Sequence, residues 1–365
     1  MAILSSWIVI GLFVDGWAHR YAPSLDTFFN PWHATFYSGL LMMAVFTGGT
    51  MVRSIRQGSP WRRALPLGYG KTAAGLVLFG LGGVSDMIWH ELYGFEGNVD
   101  AVLSPSHQVI FVGIGLSVSG PLRAAWHRPD GNSPASLVQR LPLLLSVTCL
   151  LSLLTFATMY LHPLLDIYAT THWTWVVGTF DRQTFGWMLD TLAVGGVIVQ
   201  TVILMGLVLI LLRRWRLPFG SLTLIFSGNA LLLGFLGRHY LFIFLAFLVG
   251  LAADLLLGLL HISPGCQPWR YRLFAFSVPF LLYAGYLLCL ATLMGGIAWS
   301  AHMVTGTVVL SGFIGVLVSY AVFPPRITHP SSLPSPLTPL LTPIEGARGG
   351  EAEVEGKGAT QDEGR

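Results

Sequence analysis

Ten stretches of about twenty apolar residues run through the chain, roughly over 2–19, 32–53, 70–92, 105–126, 141–162, 188–212, 219–237, 240–261, 272–293 and 298–322. Nothing else in the sequence limits the fold so strongly. About 20 apolar residues in a helix cross the hydrocarbon core of a bilayer, and in that medium only helices or closed barrels satisfy their own backbone. The expectation is an all-α, polytopic transmembrane bundle of ten spans. The seventh and eighth are parted only by Gly237, Arg238 and His239 and could be one broken unit. Charged residues make up 10% of the 365, against roughly 25% in a soluble domain. That excludes a soluble single-core enzyme, a nucleic-acid binder and a disulfide-stapled secreted domain. The three cysteines, Cys149, Cys266 and Cys289, form no C-x-x-C pair, so no thiolate zinc site or redox dithiol is expected.

The basic residues orient the spans. Arg53, Arg56, Arg62, Arg63 and Lys71, then Arg123, Arg128 and Arg140, then Arg213, Arg214 and Arg216, then Arg270 and Arg272 all fall on one side. Positive charge marks the cytoplasmic side. Both termini are then cytoplasmic, in a multi-pass protein of the cell inner (plasma) membrane. The first span lacks a basic n-region and a small-residue cleavage site and carries Asp15 and His19, so it reads as a retained helix. Residues 1–323 are expected to form the membrane domain. Residues 324–365, first rich in Pro, Ser, Thr and Leu and then in Gly and Glu, cannot bury a core and read as a disordered cytoplasmic tail.

Ionisable groups within spans are costly and mark function by default. Of the eleven acidic residues before the tail, nine map to the outer face: Asp15, Asp26, Asp86, Glu91, Glu96, Asp100, Asp166, Asp181 and Asp190. Eight histidines follow the same bias: His19, His33, His90, His107, His162, His172, His239 and His302. Asp254, deep in the eighth span, is the candidate for a buried polar partner or an ion step. Arg238 is a candidate counter-ion for His239 or a contact for an anionic group.

Within residues 1–126 one pattern occurs twice. Asp15-x3-His19-x6-Asp26-x6-His33 is matched by Asp86-x3-His90-x9-Asp100-x6-His107, each on an outer hairpin. Residues four apart on a helix share a face, so each Asp–His pair can share a metal ion, or the carboxylate can hold the imidazole. Asn30-Pro31 and Ser104-Pro105 read as an N-cap with Pro at the first helical position. His33 and His107 then sit in first turns, where the helix dipole favours the neutral, metal-binding imidazole. Two metal sets follow, Asp15/His19/His33 and Asp86/His90/His107, suited to copper or zinc. Glu91 and Glu96 are the candidate catalytic acids or bases. His162, Asp166, His172, Asp181 and Asp190 echo the design weakly, with Met188 nearby, and His302 opens the tenth span. Met87, Met159, Met188, Met294 and Met303 are possible soft ligands. The runs GLVLFGLGG and GIGLSVSG fit close helix packing.

The D-x3-H element with a later histidine resembles the metal motif of the C subunit of the particulate methane and ammonia monooxygenases. In that family the motif lies in transmembrane helices and binds copper. The interval to the last histidine is x13 and x16 here and x12 there. Ser85, Asp86 and His90 are faintly similar to the zinc site of the seven-span hydrolases that include alkaline ceramidases, whose late H-x3-H is absent. The stretch SDMIWHELYGFEGNVDAVLSPSH resembles uncharacterised bacterial polytopic membrane proteins. The resulting expectation is a metal-dependent membrane enzyme, an oxidase or oxygenase with copper or a hydrolase with zinc. Its substrate would be hydrophobic or lipid-derived and arrive from the bilayer. The alternatives are copper or zinc handling or transport, and a non-catalytic scaffold subunit.

Overall fold

The structure is a computed structural model and describes residues 1–22, 28–94, 98–170 and 182–325. Twelve α-helices follow one another, and no strand occurs among the described residues. They are α1 (Ala2–Tyr21), α2 (Pro31–Arg56), α3 (Gly70–Tyr93), α4 (Asn98–Leu103), α5 (Pro105–Val118), α6 (Gly120–Trp126), α7 (Leu137–Ala157), α8 (Arg182–Arg214), α9 (Ser221–Gly237), α10 (Leu241–Leu259), α11 (Pro268–Leu293) and α12 (Ala301–Val322). Residues Met1–Pro324 form one compact unit. The expected tail from 326 onward lies outside the described residues, as do Asp26, Glu96, His172 and Asp181.

Among the described residues eight helices are long and apolar enough to cross a membrane, so the protein is a polytopic helical membrane protein. The expected fourth span is two pieces, α5 and α6, bent by 43°. Pro121 explains the break. It has no N–H, and its ring displaces the carbonyl of Ser117, which accepts instead from Thr72 Oγ1 at 3.4 Å. Arg123 then ties the bend to the start of α3, donating to Gly68 O at 2.9 Å and Leu116 O at 2.8 Å. Counted as one span, the pair raises the number to nine. The expected seventh span, α9, has 17 residues, about 25 Å at 1.5 Å per residue, and falls short of the roughly 30 Å core. It is a helix of its own. Arg238 turns the chain in the left-handed region at φ 57°, and α9 and α10 fold into a hairpin so close that a Cβ on Gly250 would lie 2.6 Å from Thr223 Cα. The expected fifth span, α7, stops at Ala157, not near 162. Pro163 holds His162 in an extended conformation, with φ −89° and ψ 113°.

Two cores divide the bundle. One gathers Ile8, Phe13, Phe36, Met43, Phe79, Ile110 and Ile114 from α1, α2, α3 and α5, with Phe156 of α7 closing it. The other fills the space among α7 to α12 around Trp215, Phe242, Tyr271 and Phe274. In the first, glycines set the helix separations. A Cβ on Gly75 would lie 2.7 Å from Gly113 O, and one on Gly113 would lie 2.5 Å from Phe79 N. The two small-residue runs therefore bring α3 and α5 into backbone contact. On the other hairpin a Cβ on Gly11 would lie 2.8 Å from Phe36 Cα. Thus α1 packs on α2 and α3 packs on α5, and both hairpins bring their helix ends together at the same positions in the pattern.

Candidate metal centre

Each hairpin assembles one triad. Asp15 and His19 lie in the last two turns of α1, and His33 is the third residue of α2. Asn30 caps α2 through its side chain, accepting from Trp32 N at 3.0 Å and His33 N at 2.9 Å. His33 Nε2 is 3.4 Å from Asp15 Oδ1 and 3.4 Å from His19 Nε2, and His19 Nε2 is 3.8 Å from Asp15 Oδ2. In the second hairpin Asp86 and His90 end α3, and His107 is the third residue of α5. His90 Nε2 is 3.4 Å from Asp86 Oδ2, and His107 Nε2 is 3.3 Å from Asp86 Oδ1. In both triads one ligand atom from each residue lies within 4.8 Å of the others. Two nitrogen ligands at about 2.0 Å from a tetrahedral ion are about 3.3 Å apart, so these separations suit one ion per triad.

The second ring nitrogens are held from outside. His33 Nδ1 is 2.7 Å from Phe28 O, and His90 Nδ1 is 3.3 Å from Gly94 O. A carbonyl only accepts, so both Nδ1 atoms carry a hydrogen, and each ring turns its Nε2 toward the carboxylate. Such outer partners fix the tautomer of metal-binding histidines. His107 Nδ1 meets the Ser104 hydroxyl at 2.6 Å. Ser106 donates to Asp86 Oδ1 at 2.8 Å. Asp86 is 2% exposed, His33 4% and His90 6%. Carboxylates buried this close to imidazole nitrogens are stabilised either by a metal ion or by a proton held between carboxyl and ring.

The triads are not separate. All six side chains line one cavity of about 60 Å3. Its remaining walls are mostly apolar, from Leu12, Phe36, Ile110, Phe111 and Phe156, with Met159 at the edge. Phe28 lies between the two sets, its ring centroid 4.9 Å from His33 and 6.3 Å from His90. Each ion would have three protein ligands, leaving a four-coordinate metal one open position toward the cavity.

Several other sequence candidates lie elsewhere. Glu91 is exposed on the last turn of α3, outside the cavity lining. Asp100 is exposed on α4. Asp166 pairs with Arg20 at 2.7 Å, and Asp190 accepts from Trp299 Nε1 at 2.6 Å. The hairpin after α7 therefore builds no third triad among the described residues. Arg238 stacks on Tyr21, 4.0 Å from its ring centroid. Asp254 is a cap supplied by a neighbouring helix. Its oxygens accept from Leu222 N at 3.1 Å, Thr223 N at 2.9 Å and Thr223 Oγ1 at 2.7 Å, where α9 begins without a cap of its own. Ser104 makes no side-chain cap for α5, because its hydroxyl is turned to His107. Sequence reading missed Ser106, the outer partners Phe28 and Gly94, and Tyr37, which lines the cavity. Only Ser106 left a signal, lying one residue before His107.

Comparison with family models, with curated proteins and with solved structures finds no match to this chain.

Proposed function

We propose that the protein is a membrane enzyme with a two-ion transition-metal centre, acting on a hydrophobic substrate at the outer face of the cell membrane. The observation that carries this reading is the pair of Asp/His/His triads on one cavity, each with one ligand atom of every residue within 4.8 Å of the others. Imidazole and carboxylate suit copper or zinc. Copper would serve oxidation, in keeping with the motif's resemblance to the monooxygenase subunit; zinc would serve hydrolysis by activated water. The reading includes ten membrane segments with both termini inside, counting the bent α5–α6 pair and the short α9 as crossings.

Catalysis is favoured over metal transport by Asp254. The inner acid that would have relayed an ion is fully engaged in capping α9.

The test is the metal content of the detergent-purified protein by mass spectrometry, beside a His33→Ala/His107→Ala variant. About two equivalents of copper or zinc are expected, one for each three-ligand set, and both are lost in the variant. No bound metal, with none taken up on reconstitution, overturns the reading.

A further inference from the structure

A second void adjoins the metal cavity on its lipid side. It is a crevice of about 550 Å3 between α2 and α3, lined by Leu40, Gly80, Gly83, Val84 and Met87, with Phe28 at the end nearer the triads. The two helices meet sparsely there, since α2 packs along α1 and α3 along α5. Gly80 and Gly83 leave the space empty. A Cβ on Gly80 would meet nothing within 4 Å. Val84, 56% exposed, faces outward at its rim.

His33 and Tyr37 line both the crevice and the metal cavity. The Tyr37 ring lies on the bare face of Gly83, where an added Cβ would be 2.7 Å from its Cε1. Its hydroxyl makes no hydrogen bond to any described residue, so a polar atom without a protein partner stands at the junction of an apolar slot and a metal-ligand cluster. From Pro31 to Leu40 the slot runs nine residues of helix, about 14 Å. That is close to half of the roughly 30 Å hydrocarbon core, the depth of one leaflet.

We propose that the crevice receives the alkyl tail of a single-chain amphiphile from the surrounding leaflet, and that Tyr37 guides its polar end to the paired triads. The assignment rests on the metal-site reading and names the substrate class for it. An apolar slot one leaflet deep, with its polar groups Asn30, His33 and Tyr37 toward one end, suits an unbranched chain carrying one polar end. A two-chain lipid would have to leave a tail outside.

The test uses the full chain in phosphatidylcholine nanodiscs with a diazirine-bearing palmitic acid. Crosslinks are mapped by mass spectrometry and metal is measured on the same samples. Labelling is expected to concentrate on residues 31–40 and 80–87, about tenfold over the exposed faces of α10 and α12, the ratio given by ~1.4 kcal/mol of preference. Excess unlabelled palmitic acid removes the enrichment, although the bulk phosphatidylcholine does not. Gly80→Phe fills the slot, and Val84→Trp closes its rim from a lipid-exposed position. Both reduce labelling to the level of the other helices with metal content unchanged. Even labelling over all exposed helices, or enrichment untouched by both variants, overturns the crevice assignment while bound metal stands. Absence of metal overturns the site reading, and the substrate role of the crevice with it, whatever the labelling shows.

Discussion

Replacing Asp86 by Asn separates the two cations that could occupy the centre, because they predict opposite signs. Asp86 is buried and lies 3.4 Å from His90 Nε2 and 3.3 Å from His107 Nε2, with Ser106 as its hydroxyl donor. Suppose a metal ion is the natural occupant. The metal-free protein then holds a desolvated carboxylate against bare imidazole nitrogens. An asparagine amide keeps an oxygen for Ser106 and gives its N–H to an imidazole. The variant in chelator is then more stable than the wild type by about 1–3 kcal/mol, the cost of a buried unsatisfied polar group. Adding metal at a hundred times its Kd stabilises the wild type by about 2.7 kcal/mol for each site filled. The variant, left with only Asp15/His19/His33, gains about half the wild-type total. Suppose instead that a proton is the occupant. Asn then breaks a buried ion pair and costs about 3–5 kcal/mol, and metal changes neither protein. The assay is thermal unfolding in detergent, followed by tryptophan fluorescence, with chelator and with zinc. One kcal/mol corresponds to roughly 2–4 °C in a chain of a few hundred residues, so the two cases differ by well over 5 °C. A variant destabilised in chelator, beside a wild type indifferent to zinc, would refute the metal reasoning.

Other variants test the supports of the centre. Ser106→Ala removes the hydroxyl that orients Asp86 and is expected to weaken metal binding at the second triad about 10- to 100-fold, read by competition against a chelator of known affinity. Gly113→Ala forces a methyl against the Phe79 backbone, 2.5 Å from its nitrogen; it should cost about 1–3 kcal/mol of overpacking and lower bound metal from two equivalents toward one. Asp254→Ala strips the N–H groups of Leu222 and Thr223 of their acceptor, at about 1–3 kcal/mol for each orphaned group, yet leaves metal content unchanged, which separates it from any transport relay.

The helices were legible because their signals are local and additive. Observed ends lie within a few residues of the expected ones wherever a cap or a proline marks them, as Asn30 and Pro31 do for α2. The departures come from residues whose effect depends on a partner. Pro121 reads as one more residue of an apolar run until its lost hydrogen bond bends the span, and Pro163 holds His162 extended, so the expected span cannot run on as helix through 162. Asp254 looked like a functional acid because a carboxylate in a span is expensive. What makes it affordable is a pair of backbone N–H groups 31 and 32 residues away, which no spacing rule reveals. The triads were legible for the opposite reason. Four residues along a helix and a short hairpin bring Asp, His and His together without help from the rest of the fold.

What the hairpins could not disclose is their joining. Each is closed by its own glycines, α1 on α2 and α3 on α5, so each triad is built locally and independently. The common cavity arises only when α1 and α3 stand on either side of α2 and α5, with Phe36, Phe79, Ile110 and Phe156 packed beneath. That arrangement explains why the acidic and imidazole groups tolerate burial in a membrane protein. They lie at the helix ends beside Phe28, where all six face one cavity rather than lipid. It also explains the asymmetry of exposure. His19 and His107 have side chains 22% and 20% exposed, while His33 and His90 are 6% and 3% exposed. In the proposed metal centre, His19 and His107 would line the path by which an ion enters, and His33 and His90, each held by a backbone carbonyl, would keep it there.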